Sequence, residues 1–298
     1  MLQTIQKMPK FFIDTADVDY IKRTWDKLLK NGVQPSSFLG VTTNPNALAK
    51  VECDNLEKLE LLAYKLTKLT TDIRGDRSGV VYFQLPNSKA TGTELFTWVH
   101  LLKRLGDGRT HIGMKIPPYK HILDQVTQLR LNETTQINVT GVSDAATALR
   151  CFSYPSVTYV SIIPGRMEEV GINADQHLRL VNQRYGAFDR NQFIIAGSMR
   201  TFDGLRRSVE AGTVPTIGAW VFDSMTEQEY VEFNALWKPM VIEGDYANDL
   251  VTVDTKNHNL TISFFEQMDG LGEKLYTEFR SKVGLDTSSV ADRQTQTP

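Results

Sequence analysis

The chain has 298 residues, 41% hydrophobic and 23% charged, enough apolar material to bury a sizeable core. With 33 Lys+Arg against 35 Asp+Glu and a formal net charge of -2, it offers no cationic excess for nucleic acid, and the basic run from Lys103 to Arg130 reads as a solvated helix face. Two cysteines, Cys53 and Cys151, without CxxC or Cys/His spacing, indicate neither a disulfide framework nor a zinc site and read as packing residues. The N-terminal "MLQTIQKMPKFFIDTAD" lacks an apolar h-region and no 18-residue apolar stretch occurs, so a cytoplasmic location without membrane contact is expected.

In chain order, the first strand-like run is "KFFIDT" (10–15), followed by the helix-periodic "VDYIKRTWDKLLKN" (18–31). "SFLGVTT" (37–43) precedes "NLEKLELLAYKLTKL" (55–69), and "GVVYFQL" (79–85) precedes "TGTELFTWVHLLKRL" (91–105), which opens on a capping-box pattern from Thr91 to Glu94. "HIGMKI" (111–116), "QINVTGV" (136–142), "VTYVSII" (157–163), "QFIIAGS" (192–198) and "TVPTIGAW" (213–220) complete eight candidate strands. Near-continuous apolar strands alternating with helices predict an α/β fold, a closed (β/α)₈ TIM barrel. The runner-up is an open doubly wound sheet; against it, "DTADVDY" (14–20) stands where a Gly-rich phosphate loop would follow the first strand. A single domain over 1–298 is expected, with its barrel core at about 10–221 and a helical appendage over 222–285 built from "TEQEYVEFNALW" and "ISFFEQMDGLGEKLYTEFRSKV". The polar tail, 286–298, reads as disordered.

In such a barrel the reactive residues sit at the C-terminal ends of the strands, and here those ends are polar beyond what packing requires. They carry Asp14; Thr42, Thr43 and Asn44; Gln84; Lys115; Asn138 and Thr140; Ser161 and Arg166; and Ser198 and Arg200. Lys115, flanked by Met114 and Ile116, must snorkel, pair with a carboxylate, or lose its proton readily enough to act as an amine nucleophile. Asp14 suits either a helix cap or a carboxylate that moves a substrate proton, and Thr42 to Pro45 either a tight strand exit or a set of sugar-binding groups. Arg166, Ser198 and Arg200 would suit a phosphate, with surface ion pairing the alternative for each arginine.

The pieces "FIDTADV", "GVTTNPNALA", "MKIPP", "INVTGVSDAATAL", "YVSIIPGR" and "IIAGSMRT", in this order between residues 11 and about 220, resemble the transaldolase family, which includes the smaller fructose-6-phosphate aldolases. The resemblance implies a barrel of the class I aldolase type, with Lys115 as the Schiff-base lysine, Asp14 as the proton-transferring carboxylate, and Gln84 and Thr140 assisting. Thr43, Asn44, Asn138 and Ser161 would hold the three-carbon dihydroxyacetone unit, and Arg166, Ser198 and Arg200 the sugar phosphate. The same resemblance implies a metal-independent transferase of the pentose phosphate pathway, with no cofactor, acting on small sugar phosphates, with no nucleic-acid or membrane partner and with homo-oligomerisation left open.

Two positions depart from the pattern. Gln84 stands where larger transaldolases use glutamate and the smaller aldolases glutamine, and Ile163, near the middle of strand six, stands where the family places phenylalanine or tyrosine. An isoleucine supplies no hydroxyl, which favours transaldolase over an aldolase that releases dihydroxyacetone. The alternative outside enzymes is a degenerate barrel kept as a binding or structural protein; joint retention of Lys115, Asp14 and Asn44 speaks against it.

Overall fold

The computed structural model describes residues 10–75, 79–105, 109–133, 135–186, 192–236 and 255–285. Eight parallel strands, paired each with the next and the last with the first, form a closed barrel. They are β1 (Phe11–Asp14), β2 (Phe38–Thr42), β3 (Val80–Gln84), β4 (His111–Ile116), β5 (Ile137–Val142), β6 (Tyr159–Ile162), β7 (Phe193–Ala196) and β8 (Val214–Gly218). All eight lie within the runs expected from the sequence.

Helices follow every strand: α1 (Val18–Lys30) after β1, α2 (Pro45–Lys50) and α3 (Leu56–Arg74) after β2, α4 (Gly92–Arg104) after β3, and α5 (Lys120–Gln128) after β4. α6 (Ala145–Phe152) follows β5, α7 (Pro164–Glu169) and α8 (Ala174–Gly186) follow β6, and α9 (Phe202–Glu210) follows β7. After β8 come α10 (Ala219–Ser224), α11 (Glu227–Ala235) and the 28-residue α12 (Thr255–Lys282).

Local chemistry explains the boundaries. Buried Ile21, Thr24, Trp25 and Leu28 recur at i, i+3, i+4 and i+7 along α1, which fixes the face laid on the barrel. The cap of α1 is Asp17, whose side chain accepts from Tyr20 N, so Asp14 is not the cap its spacing allowed; a capping carboxylate reaches the amide three residues on, and only Asp17 stands at that offset. α4 opens on the expected capping box between Thr91 and Glu94. Strand β8 stops at Gly218, earlier than expected, and Ala219 and Trp220 open α10. Ile163 is likewise past the end of β6, where it precedes Pro164 at the first position of α7. The basic run from Lys103 to Arg130 is not one helix face: it crosses the end of α4, the whole of β4 and α5. Cys53 and Cys151 are free and buried.

Alternation along the strands builds the barrel interior. Its lower layer is apolar: Phe12, Val80, Tyr82 and Ile195 pack together with Leu39, Tyr159 and Val214 against them. The rings of Phe12, Tyr82 and Tyr159 meet edge to face with centroids 5.8, 5.9 and 6.0 Å apart. Gly113, in register with Tyr82, makes room for this plug, since a Cβ there would come 2.3 Å from the Tyr82 ring. Two residues further along, the same parity brings Asp14, Gln84, Lys115 and Ser161 to the upper layer, so the floor is dry and the mouth polar.

α12 lies across that mouth. Phe264, Phe265, Met268, Leu275 and Phe279 are buried beneath it, worth about 1.5–3 kcal/mol each relative to exposure. Gly141, at φ +72°, makes room for it, because a Cβ there would sit 2.6 Å from the Phe265 ring. Polar contacts fix its position: Ser88 donates to Asp269 through N and Oγ at 2.8 and 2.6 Å, the Tyr276 hydroxyl donates to Glu94 at 2.7 Å, and Leu56 N, at the start of α3, donates to Glu278 at 2.9 Å. The expected tail, 286–298, lies outside the described residues. Among the described residues no helix is long and apolar enough to cross a membrane.

Candidate active site

The mouth of the barrel holds a cavity of about 320 Å³ lined from both the strand ends and the helices that follow them. Lys115, 5% exposed, reaches it from β4. Its Nζ donates one hydrogen bond to the backbone oxygen of Thr43 at 3.0 Å and has no carboxylate at ion-pair distance among the described residues. Burial pushes its pKa down from the usual lysine value, and the charge of Asp14 opposes that shift. Of the three fates open to an apolar-flanked lysine, this is the desolvated amine.

Asp14 stands at the end of β1 and lines the same cavity. The Thr42 hydroxyl donates to its Oδ1 at 2.8 Å, and Asn44 Nδ2 reaches the same oxygen at 3.5 Å, a weak contact. Thr42 also shares a 2.7 Å bond with the Thr216 hydroxyl of β8, so the carboxylate is held by a chain running across three strands. Asn44 is engaged at its other end as well, where its Oδ1 accepts from Ala47 N and caps α2. The strand exit and the sugar-binding reading of "TTNP" are therefore not exclusive in the geometry.

Opposite, Arg166 and Arg200 come from the β6 and β7 exits. Arg200 Nε donates to Glu169 at 2.7 Å, the surface ion pair that is the alternative role for this arginine. Arg166 is held differently: Nη1 donates to Gln267 of α12 at 3.1 Å and the guanidinium lies 4.8 Å from the Phe264 ring centroid. Its Nε is buried without a hydrogen-bond partner among the described residues. Burial first, and the Arg200 charge second, lower its pKa from the ordinary arginine value. Two like charges in one cavity wall make a surface that an anion would stabilise. Ser198, at φ +56°, and Gly165 shape that wall; a Cβ on Gly165 would come 1.8 Å from Ser198 O.

Nine of the strand-end residues singled out in the sequence line the cavity, Asp14, Thr42, Asn44, Lys115, Thr140, Ser161, Arg166, Ser198 and Arg200, and so does Ile163. Thr43, Gln84 and Asn138 do not. The Thr43 hydroxyl turns to Tyr82 O at 2.9 Å, and its contribution is the carbonyl that receives Lys115. Gln84 and Asn138 flank Lys115 in the sheet register but are buried at 2% and 0% exposure. Asn138 Oδ1 accepts from the Ser161 hydroxyl at 2.8 Å, while its Nδ2 and the Oε1 of Gln84 are buried without partners among the described residues. Such atoms cost about 1–3 kcal/mol each when unsatisfied. Sequence reasoning missed Thr216, Tyr20, Lys50, Trp220, Asp223, Phe264 and Met268, which also line the cavity. Only Thr216 had a signal, a hydroxyl at an interior position of an apolar strand.

A closed barrel whose mouth sets a desolvated lysine beside a carboxylate and faces both with two arginines defines a TIM-barrel protein equipped for amine-based chemistry on an anionic substrate. A thiamine phosphate pyrophosphorylase from Pyrococcus furiosus shares the fold, with a TM-score of 0.50 and 10% identity over 77% of this chain and 95% of that one. No family model matches the chain. The probable transaldolase of Lachnoclostridium phytofermentans is 30% identical over 191 residues, 64% of this chain and 77% of that protein. Those of Brachyspira hyodysenteriae (29%, covering 73% of this chain and 90% of that protein) and Paracoccus denitrificans (27%, 76% and 96%) are also similar. The chain belongs to the transaldolase family.

Proposed function

We propose that this protein is a transaldolase. It moves a dihydroxyacetone unit from a ketose phosphate, fructose 6-phosphate or sedoheptulose 7-phosphate, to an aldose phosphate, erythrose 4-phosphate or glyceraldehyde 3-phosphate, as in the pentose phosphate pathway. The observation that carries this reading is Lys115: an amine 5% exposed, held by a single backbone oxygen, its pKa lowered by burial, in a cavity wall shared with Asp14 and two arginines.

Lys115 Nζ attacks the C2 carbonyl of the ketose, and loss of water leaves a protonated imine. Asp14 takes the proton of the C4 hydroxyl; the C3–C4 electron pair moves into the iminium and the aldose departs. The enamine left on Lys115 attacks the aldehyde of the acceptor, Asp14 returns the proton to the new hydroxyl, and hydrolysis of the imine frees the lysine. Asn44, Thr140 and Ser161 hold the dihydroxyacetone hydroxyls. Arg166, Arg200 and Ser198 hold the phosphate, Gln84 and Asn138 orient water or hydroxyl groups beside the imine, and Thr43 positions the amine through its carbonyl. Because the iminium is the electron sink, the steps call for no metal.

The test is intact mass after incubation with fructose 6-phosphate and borohydride, comparing wild type with Lys115→Arg. A dihydroxyacetone-sized adduct on wild type alone supports the reading; no adduct on a folded wild type removes it. An aldolase that releases dihydroxyacetone is the second reading, and Ile163 in the cavity wall, with no hydroxyl, argues against it. Dependence of turnover on an acceptor aldose separates the two.

A further inference from the structure

Both arginines of the cavity wall are arranged by one short helix. α7 (Pro164–Glu169) carries Arg166, and on the same helix Gly165 and Glu169, four residues apart, lie on one face. Arg200 is laid along that face. Its stem passes Gly165, where a Cβ would come 3.2 Å from Arg200 Cγ, and its Nε donates to Glu169 Oε1 at 2.7 Å. The remaining four N–H donors, on the two Nη atoms, carry no hydrogen bond among the described residues.

The Glu169 carboxylate acts on Arg166 as well. Burial first, and the Arg200 charge second, lower the Arg166 pKa, and the Glu169 charge opposes both. Glu169 does not line the cavity, whereas both arginines do. One carboxylate outside the lining thus offsets two cations within it, and an anion approaching the cations meets its repulsion. The Arg200 and Glu169 side chains are 38% and 53% exposed, so solvent screens this effect without removing it. The neighbouring carboxylate is spent elsewhere: Glu168 accepts from Arg207 Nη2 at 2.7 Å, and Arg207 does not line the cavity.

We propose that Glu169 is a positioning residue acting through Arg200: it holds the Nε edge, leaves the Nη donors for the substrate phosphate, and keeps the affinity for that phosphate below what the two arginines alone would give. The inference rests on the phosphate role of Arg166 and Arg200 in the transaldolase reading and adds to it the residue that sets their strength.

The experiment measures binding of inorganic phosphate by calorimetry at low ionic strength, together with KM for fructose 6-phosphate and half-saturation of borohydride trapping by dihydroxyacetone, in wild type, Glu169→Gln, Glu168→Gln and Arg200→Ala. Glutamine keeps an oxygen for Arg200 Nε and removes only the charge. Glu169→Gln tightens phosphate binding and lowers KM for fructose 6-phosphate about three- to fivefold, the upper range of an exposed ion pair, while half-saturation by dihydroxyacetone stays within about twofold. Glu168→Gln changes none of the three by more than about twofold, and Arg200→Ala weakens phosphate binding. Unchanged or weaker phosphate binding in Glu169→Gln overturns the proposal, as does an equal gain in Glu168→Gln or a shift for dihydroxyacetone as large as that for the phosphate ligands. Borohydride trapping of wild type with fructose 6-phosphate separates the failures. An adduct without any response of phosphate binding to Glu169→Gln refutes the counter-ion alone, whereas no adduct, with phosphate bound and tightened in Glu169→Gln, removes the transaldolase reading and upholds the counter-ion.

Discussion

Lys115→Met should make the protein more stable while abolishing imine formation. Methionine has similar length and volume and fits an apolar surround, whereas the wild type buries a lysine at 5% exposure with one hydrogen bond and no carboxylate partner at ion-pair distance among the described residues. Burying an ionised group costs several kcal/mol, and the bond to Thr43 O returns about 1.5–3 kcal/mol. The net gain on substitution is about 1–3 kcal/mol, or about 2–4 °C in Tm per kcal/mol for a domain of this size. The advantage depends on pH with a definite sign. The folded-state pKa lies below the ordinary lysine value of 10.5, so below it both folded and unfolded chains hold the proton and the advantage of methionine is full. Between that pKa and about 10.4 the unfolded chain holds a proton the folded one has released, and wild type gains up to about 1.4 kcal/mol per pH unit, closing the gap. Urea denaturation of both proteins at a series of pH values reads this directly. A methionine variant less stable than wild type, or a gap that does not change with pH, would show that the ammonium is well compensated and that desolvation is not what prepares the amine.

Asp14→Asn keeps an oxygen to receive the Thr42 hydroxyl, so stability should stay within about 1 kcal/mol and the borohydride adduct should still form. Turnover should fall about 10²–10⁴-fold, and near-normal turnover would assign proton transfer to another group. Gly165→Ala places a Cβ 1.8 Å from Ser198 O and should cost about 1–3 kcal/mol by overpacking. The displaced Ser198–Arg200 segment should raise KM for phosphorylated donors more than for dihydroxyacetone itself; unchanged Tm and KM would mean the segment yields without consequence.

The barrel is legible in the sequence because two periodicities alternate cleanly: apolar runs such as Val80–Phe83 between helices whose buried faces recur at three and four residues. The strand-end part of the site is legible for the same reason, since interior parity carries Lys115 and Asp14 to the mouth. Parity does not tell depth, however. Gln84 and Asn138 share the register of Lys115, yet neither lines the cavity, and Gln84 borders a neighbouring pocket between α2 and α12 instead. Nor does it reach residues supplied by helices: Lys50 and Asp223 look like ordinary polar positions, and Trp220 reads as part of the strand because an aromatic after "TIGA" suits either state. Asp14 suits a cap on spacing alone, and only the contact between Asp17 and the amide three residues beyond it removes that role.

α12 has a consequence for how the cavity opens. The same helix is bonded to the β3 exit through Ser88, to the start of α3 through Leu56, to α4 through Glu94 and to the β5 exit through Thr261, whose hydroxyl donates to Gly141 O at 3.0 Å. Its buried rings belong to the same apolar core as the barrel and its helices. α12 therefore behaves as a single cooperative unit: its backbone amides should exchange with solvent together, at one common free energy, and that free energy is the thermodynamic height of the roof over Lys115.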